Sequence, residues 1–212
     1  PEFCKQIYAN GIGSIVTQSL YTIYIVGLNM ILKIFTEDAV TVLGIYYKIQ
    51  SFFFIPLLGF QQVLLPLFSY HYGAGDRHRN RNILKCAMTF SAAIMAVATG
   101  IFLLFPEKLV QIFSMESTIL AIGKYAFPVI SISFVFAGLT IVITSYLQGI
   151  AHIKSSLFII VLRQIVLLIP LAWVFHFMGL NAVWWTFPVT EIIASITGIL
   201  IIVILHKQDS TL

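Results

Sequence analysis

Charge is what this sequence has least of. Only 9% of its 212 residues are Asp, Glu, Lys or Arg, where a soluble domain carries about a quarter. A water-facing surface cannot be assembled from that supply, so a soluble globular fold is excluded. The net charge of +4 is mild and its bases are spread among loops. That pattern suits topology and contact with membrane lipid, and gives no case for nucleic acid. Cysteine is scarce too. Cys4 and Cys86 both fall at helix ends read as cytoplasmic, where a disulfide would not persist, so no redox or metal role is assigned. No HExxH occurs, and His71, His78, His152, His176 and His206 all lie at loops or helix ends. The chain is therefore not expected to be an enzyme, nor to carry a cofactor or metal. It also lacks a basic n-region followed by a small-residue cleavage site, and opens without an initiator Met. It reads as a segment of a longer protein.

What is present is apolar. Hydrophobic residues make up 59% of the chain and mean hydropathy is +0.99. Cut at its polar interruptions, with roughly 20 residues per span, the sequence divides into six membrane helices: 7–32, 39–72, 83–105, 119–148, 155–177 and 181–205. The expected fold is an all-α integral membrane bundle. The run Gly73 to Lys85, GAGDRHRNRNILK, is the only strongly basic stretch and reads as an aqueous hairpin between spans two and three. Lys and Arg accumulate in short cytoplasmic loops. Lys5, Arg77, Arg79, Arg81, Lys85, Lys154 and Lys207 then lie inside, against Lys33, Lys108 and Lys124 outside, so both termini are expected to be cytoplasmic. Asp76 can cap the third span, and Gly73 or Gly75 can end the second.

Span one places Ser14, Gln18, Thr22 and Asn29 close to one face, with Tyr21 beside it. That stripe serves either interhelical hydrogen bonding or a wet cavity. Span two is too long to cross a core of about 30 Å untilted. Pro56, Gly59 and Pro66 are its candidate break points, and Lys48 is expected to reach the headgroups. Gln61 and Gln62, near mid-membrane, either satisfy backbone or touch substrate. Ala92, Ala96 and Gly100 in span three permit close helix packing. Pro106 to Ser117 reads as a short amphipathic surface helix. Span four is expected to kink at Pro128, with its Thr140, Thr144 and Gln148 stripe bonding backbone or serving function. Trp173, Trp184 and Trp185 are expected in an interfacial belt.

Arg163 in span five and Glu191 in span six are the notable charges. Counted from opposite ends, they lie about 12 Å and about 15 Å deep, which nearly coincides in a core of about 30 Å. A structural ion pair, a Glu191 that carries protons, and rotation of the two apart all remain open.

Three stretches together resemble a known family. LGIYYKIQSFFFIPLLGFQQVLLPLFSYHYGAGDRHR looks like the eighth helix and following loop of the multidrug and toxic compound extrusion (MATE) transporters. YLQGIAHIKSSLFIIVLRQIVLLIPLAWVF is similar to the tenth-to-eleventh helix region, and GLNAVWWTFPVTE to the start of the twelfth. Gln18 and Asn29 fit the seventh helix of the bacterial branch. The resemblance implies the C-terminal six-helix lobe of a twelve-helix transporter in the bacterial plasma membrane, partnered by an N-terminal lobe outside this sequence. It implies export of small cationic, amphipathic drugs by exchange with protons or sodium ions. It places Gln18, Asn29, Gln61, Gln62, Arg163 and Glu191 among cavity or lobe-core positions, and Tyr21 accompanies them from the helical spacing. Unlike some members, this chain has no Asp or Glu in spans one and four. A lipid-linked oligosaccharide flippase of the same superfamily is the rival, with only Lys48 and Arg163 as intramembrane cations to hold a pyrophosphate.

Overall fold

The computed structural model describes residues 19–209, with side chains to Lys207. Every regular element among them is helical. In order they are α1 (Ser19–Lys33), α2 (Glu37–Gly73), α3 (Arg77–Leu104), α4 (Pro106–Gln111), α5 (Ser117–Ser131), α6 (Ser133–Gly149), α7 (Ile153–Val161), a π-helical turn (Leu162–Leu167), α8 (Leu168–His176), α9 (Leu180–Val183) and α10 (Thr186–Asp209). Four helical runs are long and apolar enough to cross a membrane, or five if the bent pair α5 and α6 counts as one span. The helix Ser19–Lys33 is apolar but shorter.

The basic run is mostly helix. Its loop shrinks to Ala74–Asp76, because Asp76 accepts a hydrogen bond from the Arg79 N–H at 2.9 Å and starts α3 at Arg77. Gly75, at φ +73°, supplies the left-handed turn between the helices. Arg77, Arg79, Arg81 and Lys85 therefore stand on the first turns of a 28-residue helix, about 42 Å long. The end of α2 runs beside them, tied by the Asn80 amide donating to the Phe68 carbonyl at 3.4 Å. Span two does not break: α2 continues through Pro56 and Pro66 for 37 residues.

Span four does break, at Ile132 rather than at Pro128, with a bend of 42°. Pro128 removes one backbone donor, and the carbonyls that the bend uncovers find hydroxyls. Ser131 donates to Pro128 O at 2.8 Å, Ser133 to Ile130 O at 2.6 Å, and Thr99 of α3 to Ser131 O at 2.9 Å. Span five widens at Leu162–Leu167 into a π turn. Pro170 offers no N–H to the Val166 carbonyl and would crowd it in a regular helix, and the wider turn relieves that conflict.

The bundle is assembled around α6, which neighbours α2, α3 and α10 and is buried along most of its length. Glycine permits the close approach: a Cβ on Gly138 would lie 2.7 Å from Met95 Cγ and Ser91 Oγ of α3. The Ala92, Ala96 and Gly100 stripe is not the contact. Ala96 is exposed and Gly100 has open space where a Cβ would stand, because α3 turns Ser91, Met95, Ala98 and Phe102 inward instead. Tyr46 centres one core cluster, ringed by Phe102, Phe127, Phe134 and Phe187. A second, smaller cluster gathers Leu64, Phe68, Val142, Tyr146 and Leu147 near the basic end.

At the far end, α4 is only six residues long, and Ile112 and Met115 beyond it are exposed. Lys124 of α5 pairs with Glu107 of α4 there. Lys48 is exposed with its Nζ 5.7 Å from the Phe113 ring centroid. The tryptophans divide: Trp173 and Trp185 are exposed, but Trp184 is fully buried. Trp184 follows the short α9 into the core beside Val183, so it belongs to packing and not to a belt.

Candidate functional site

Two chain breaks and one unbroken helix create a groove. The π turn carries Arg163 and Gln164, α6 carries Thr140 and Thr144, and α2 presents Gln50, Phe54 and Gln61, with Tyr21 and Tyr24 of α1 along the rim. The space between them is about 340 Å³. Its lining mixes aromatic rings, amides and hydroxyls, and among the described residues it holds one formal charge, Arg163. Thr140 and Thr144 both donate to their own helix backbone, to Phe136 O and Thr140 O, each at 2.9 Å. Gln148 of the same stripe serves packing, donating to Ser156 Oγ at 3.0 Å.

Behind the groove wall lies a second, smaller space of about 30 Å³. That is room for a single water. Arg163, Gln164, Gln50 and Tyr24 border both spaces, and Glu191, Ser133, Tyr46 and Tyr47 close the inner one. Arg163 Nε lies 2.9 Å from Glu191 Oε1, and the carboxylate side is almost fully buried while the guanidinium is 24% exposed. A buried charge is tolerable only when paired, and here each supplies the other. The partnership is incomplete: Glu191 Oε2 and Gln164 Oε1 are buried without hydrogen-bond partners. Acceptors of this kind are satisfied by an added proton, a water or a small cation. No group of three or more metal-ligating side chains occurs among the described residues.

The sequence-chosen residues separate on this geometry. Tyr21, Gln61 and Arg163 line the groove, and Glu191 stands behind it. Gln62 is exposed and lines neither space, since consecutive helix residues point about 100° apart. Asn29 is half-buried on α1 and also lines neither. Gln18 lies outside the described residues.

Sequence reasoning missed Gln50 and Gln164. Gln50 was legible, because Tyr46, Gln50 and Phe54 recur at i, i+4, i+8 and continue one turn apart towards Gln61. Gln164 was not, because in a regular helix it points away from its neighbour Arg163. The π turn brings both to one wall.

Comparison with known proteins gives a consistent result. The MatE family profile matches residues 13–174. The multidrug export protein MepA of Staphylococcus saprophyticus is 23% identical over 208 residues, covering 98% of this chain and 46% of its own length. The Staphylococcus haemolyticus protein of the same name is 22% identical, covering 96% and 45%. Among solved structures, an outward-facing multidrug resistance MATE family transporter superposes with a TM-score of 0.87 at 21% identity, over 94% of this chain and 46% of that one. The MATE multidrug transporter DinF-BH, solved as a complex, gives 0.80 at 26% identity, over 95% and 46%. The chain spans about half the length of these relatives, and its fold matches half of the MATE bundle. With more than half of its residues matched by the family profile, the chain belongs to the MatE family of integral membrane transporters, which are ion-coupled carriers and not enzymes.

Proposed function

We propose that this chain is the C-terminal six-helix lobe of a twelve-helix antiporter that exports small cationic, amphipathic compounds in exchange for protons or sodium ions. The lobe sits in the bacterial plasma membrane with both ends cytoplasmic and the basic turns of α3 on the inner side. It closes against an N-terminal lobe of the same polypeptide, and its groove forms one wall of the transport cavity. The observation that carries this reading is the groove itself, a mid-span space walled by Tyr21, Tyr24, Gln50, Phe54 and Gln61. Aromatic faces attract organic cations, and amides orient them without fixing one ligand. Half a cavity does not alternate access alone, so the whole transporter is the unit to test.

The test is dye movement by the full-length transporter in sealed, oriented proteoliposomes, driven in turn by a proton gradient and a sodium gradient. Gradient-dependent movement of a lipophilic cationic dye is the expected result, and the effective gradient names the coupling ion. No movement under either gradient would overturn the export reading and turn attention to flipping of lipid-linked oligosaccharide.

A further inference from the structure

The groove and the inner space share one wall, and among the described residues the only formal charge on that wall is Arg163. Its neutralising partner, Glu191, is on the far side and does not line the groove. The net charge that a ligand in the groove meets is therefore set by the ionisation of a residue it does not touch. We propose that Glu191 is a proton-accepting site of this lobe, and that its protonation uncovers Arg163 as an uncompensated positive charge on the groove wall, which expels a bound organic cation. This inference rests on the cation-export reading and adds to it a site and a sign.

Three features point to it. The ion pair is formed through Nε and Oε1 at 2.9 Å, and Oε2 is left without a partner, so a proton can add there without first displacing the arginine. The neighbouring space of about 30 Å³ admits the one water needed to deliver that proton. Arg163 stands on the π turn, where the backbone departs from the α-helical ladder, and it is the one member of the pair that reaches the groove.

Few competing groups surround Glu191. Arg163 faces it from the π turn. Tyr46 and Tyr47 of α2 and Tyr24 of α1 border the same space, and tyrosine is ordinarily neutral near neutral pH. The other ionisable side chains of α5 to α8 lie away from it. Lys124, Tyr125, Lys154 and His176 stand towards the helix ends, and Tyr146 bonds His206 near the basic end.

In the step itself, a hydronium ion in the inner space gives its proton to Glu191 Oε2, its own O–H bond breaking to leave neutral water, and the carboxylate becomes a neutral carboxylic acid. Arg163 keeps its proton and its charge, and no bond other than the new O–H forms. An organic cation within a few ångströms of the guanidinium then meets like charge in a poorly screened setting. Loss of the proton to the opposite side restores the pair and the affinity for cation. One proton is thus exchanged against one cation, as antiport requires.

The experiment is equilibrium binding of a fluorescent lipophilic cation to the detergent-solubilised full-length transporter, across mildly acidic to mildly basic pH. Wild type should lose affinity by about tenfold on acidification. Glu191→Gln should bind weakly, with the same about tenfold loss, at every pH. The pair Arg163→Gln with Glu191→Gln leaves no buried charge, folds without the cost of a broken ion pair, and should bind more tightly than Glu191→Gln alone, with a flat pH profile. The inference is overturned if Glu191→Gln keeps the wild-type profile, if the double variant stays weak, or if sodium at constant pH displaces the dye in place of protons. Failure of the wild type to bind any cationic dye would overturn the export reading, and this inference with it.

Discussion

Proline acts differently in two parts of this molecule. In α2, Pro56 and Pro66 lie within one helix of 37 residues. In spans four and five, Pro128 and Pro170 accompany a 42° bend and a π turn. The difference lies in what the broken stretches offer their backbone carbonyls. Around Ile132, the hydroxyls of Ser131, Ser133 and Thr99 hold three carbonyls that a bend exposes. Around the π turn, the helix absorbs an extra residue and sets Arg163 and Gln164 on one wall. Backbone polar groups at membrane depth must be satisfied internally, so a break persists where partners are built in. The groove is assembled from the two broken spans lying against the continuous one.

The largest expected effect removes what one break positions. Glu191→Leu leaves Arg163 partly buried and unpaired, and should cost about 3 kcal/mol, the low end for breaking a buried pair because the guanidinium is 24% exposed. It would be read as a fall in thermal unfolding temperature in detergent, and adding Arg163→Leu should recover most of the loss. No recovery would mean that Glu191 stabilises through packing alone.

Next comes the close contact that holds the bend against α3. Gly138→Leu drives side-chain atoms into Met95 and Ser91, whose nearest atoms lie 2.7 Å from a Cβ there, and should cost about 1–3 kcal/mol. The same change at Gly100, where nothing stands within 4 Å, should be near neutral by the same thermal measurement. Equal losses at the two positions would contradict the assignment of the α3–α6 contact.

Ser133→Ala tests the bend chemistry itself. It removes the donor to Ile130 O and should destabilise by about 1 kcal/mol. Ser51→Ala, whose hydroxyl donates to Tyr47 O on the exposed side of unbroken α2, should cost less. A reversal of that order would mean that the bend does not depend on captured carbonyls. The smallest effect is expected at Lys48→Gln, within about 0.5 kcal/mol, since its side chain is exposed and only touches the Phe113 ring.

Much of this arrangement was legible in the sequence, and the illegible part has a common cause. Membrane character followed from the scarcity of charge, and the nearly equal depths of Arg163 and Glu191 left their pairing open on an assumption of straight helices. That assumption also hid Gln164, because a π turn leaves no mark on residue periodicity beyond a proline that α2 shows to be ambiguous. The basic run was read as loop from its polarity, although Asp76 and the absence of helix breakers from Arg77 to Lys85 supported a helix. Trp184 and Trp185 are adjacent and identical in type, so composition assigned them one role. The short α9 and the turn after it rotate one inward and one outward. Small residues were sought as a stripe on α3, but close approach requires a small residue on only one partner, and α6 supplies it.

The central claim is that α2, through Gln50 and Gln61, walls the path of a cationic substrate, while Gln62 faces elsewhere. Cysteine protection tests it most directly. In the full-length transporter with all its native cysteines, Cys4 and Cys86 among them, replaced by serine, Gln50→Cys, Gln61→Cys and Gln62→Cys would each be treated with a water-soluble thiol reagent, with and without a cationic dye. Labelling at positions 50 and 61 that is slowed by dye, with position 62 unaffected, is the predicted result. Protection at position 62 with none at 50 and 61 would contradict the account.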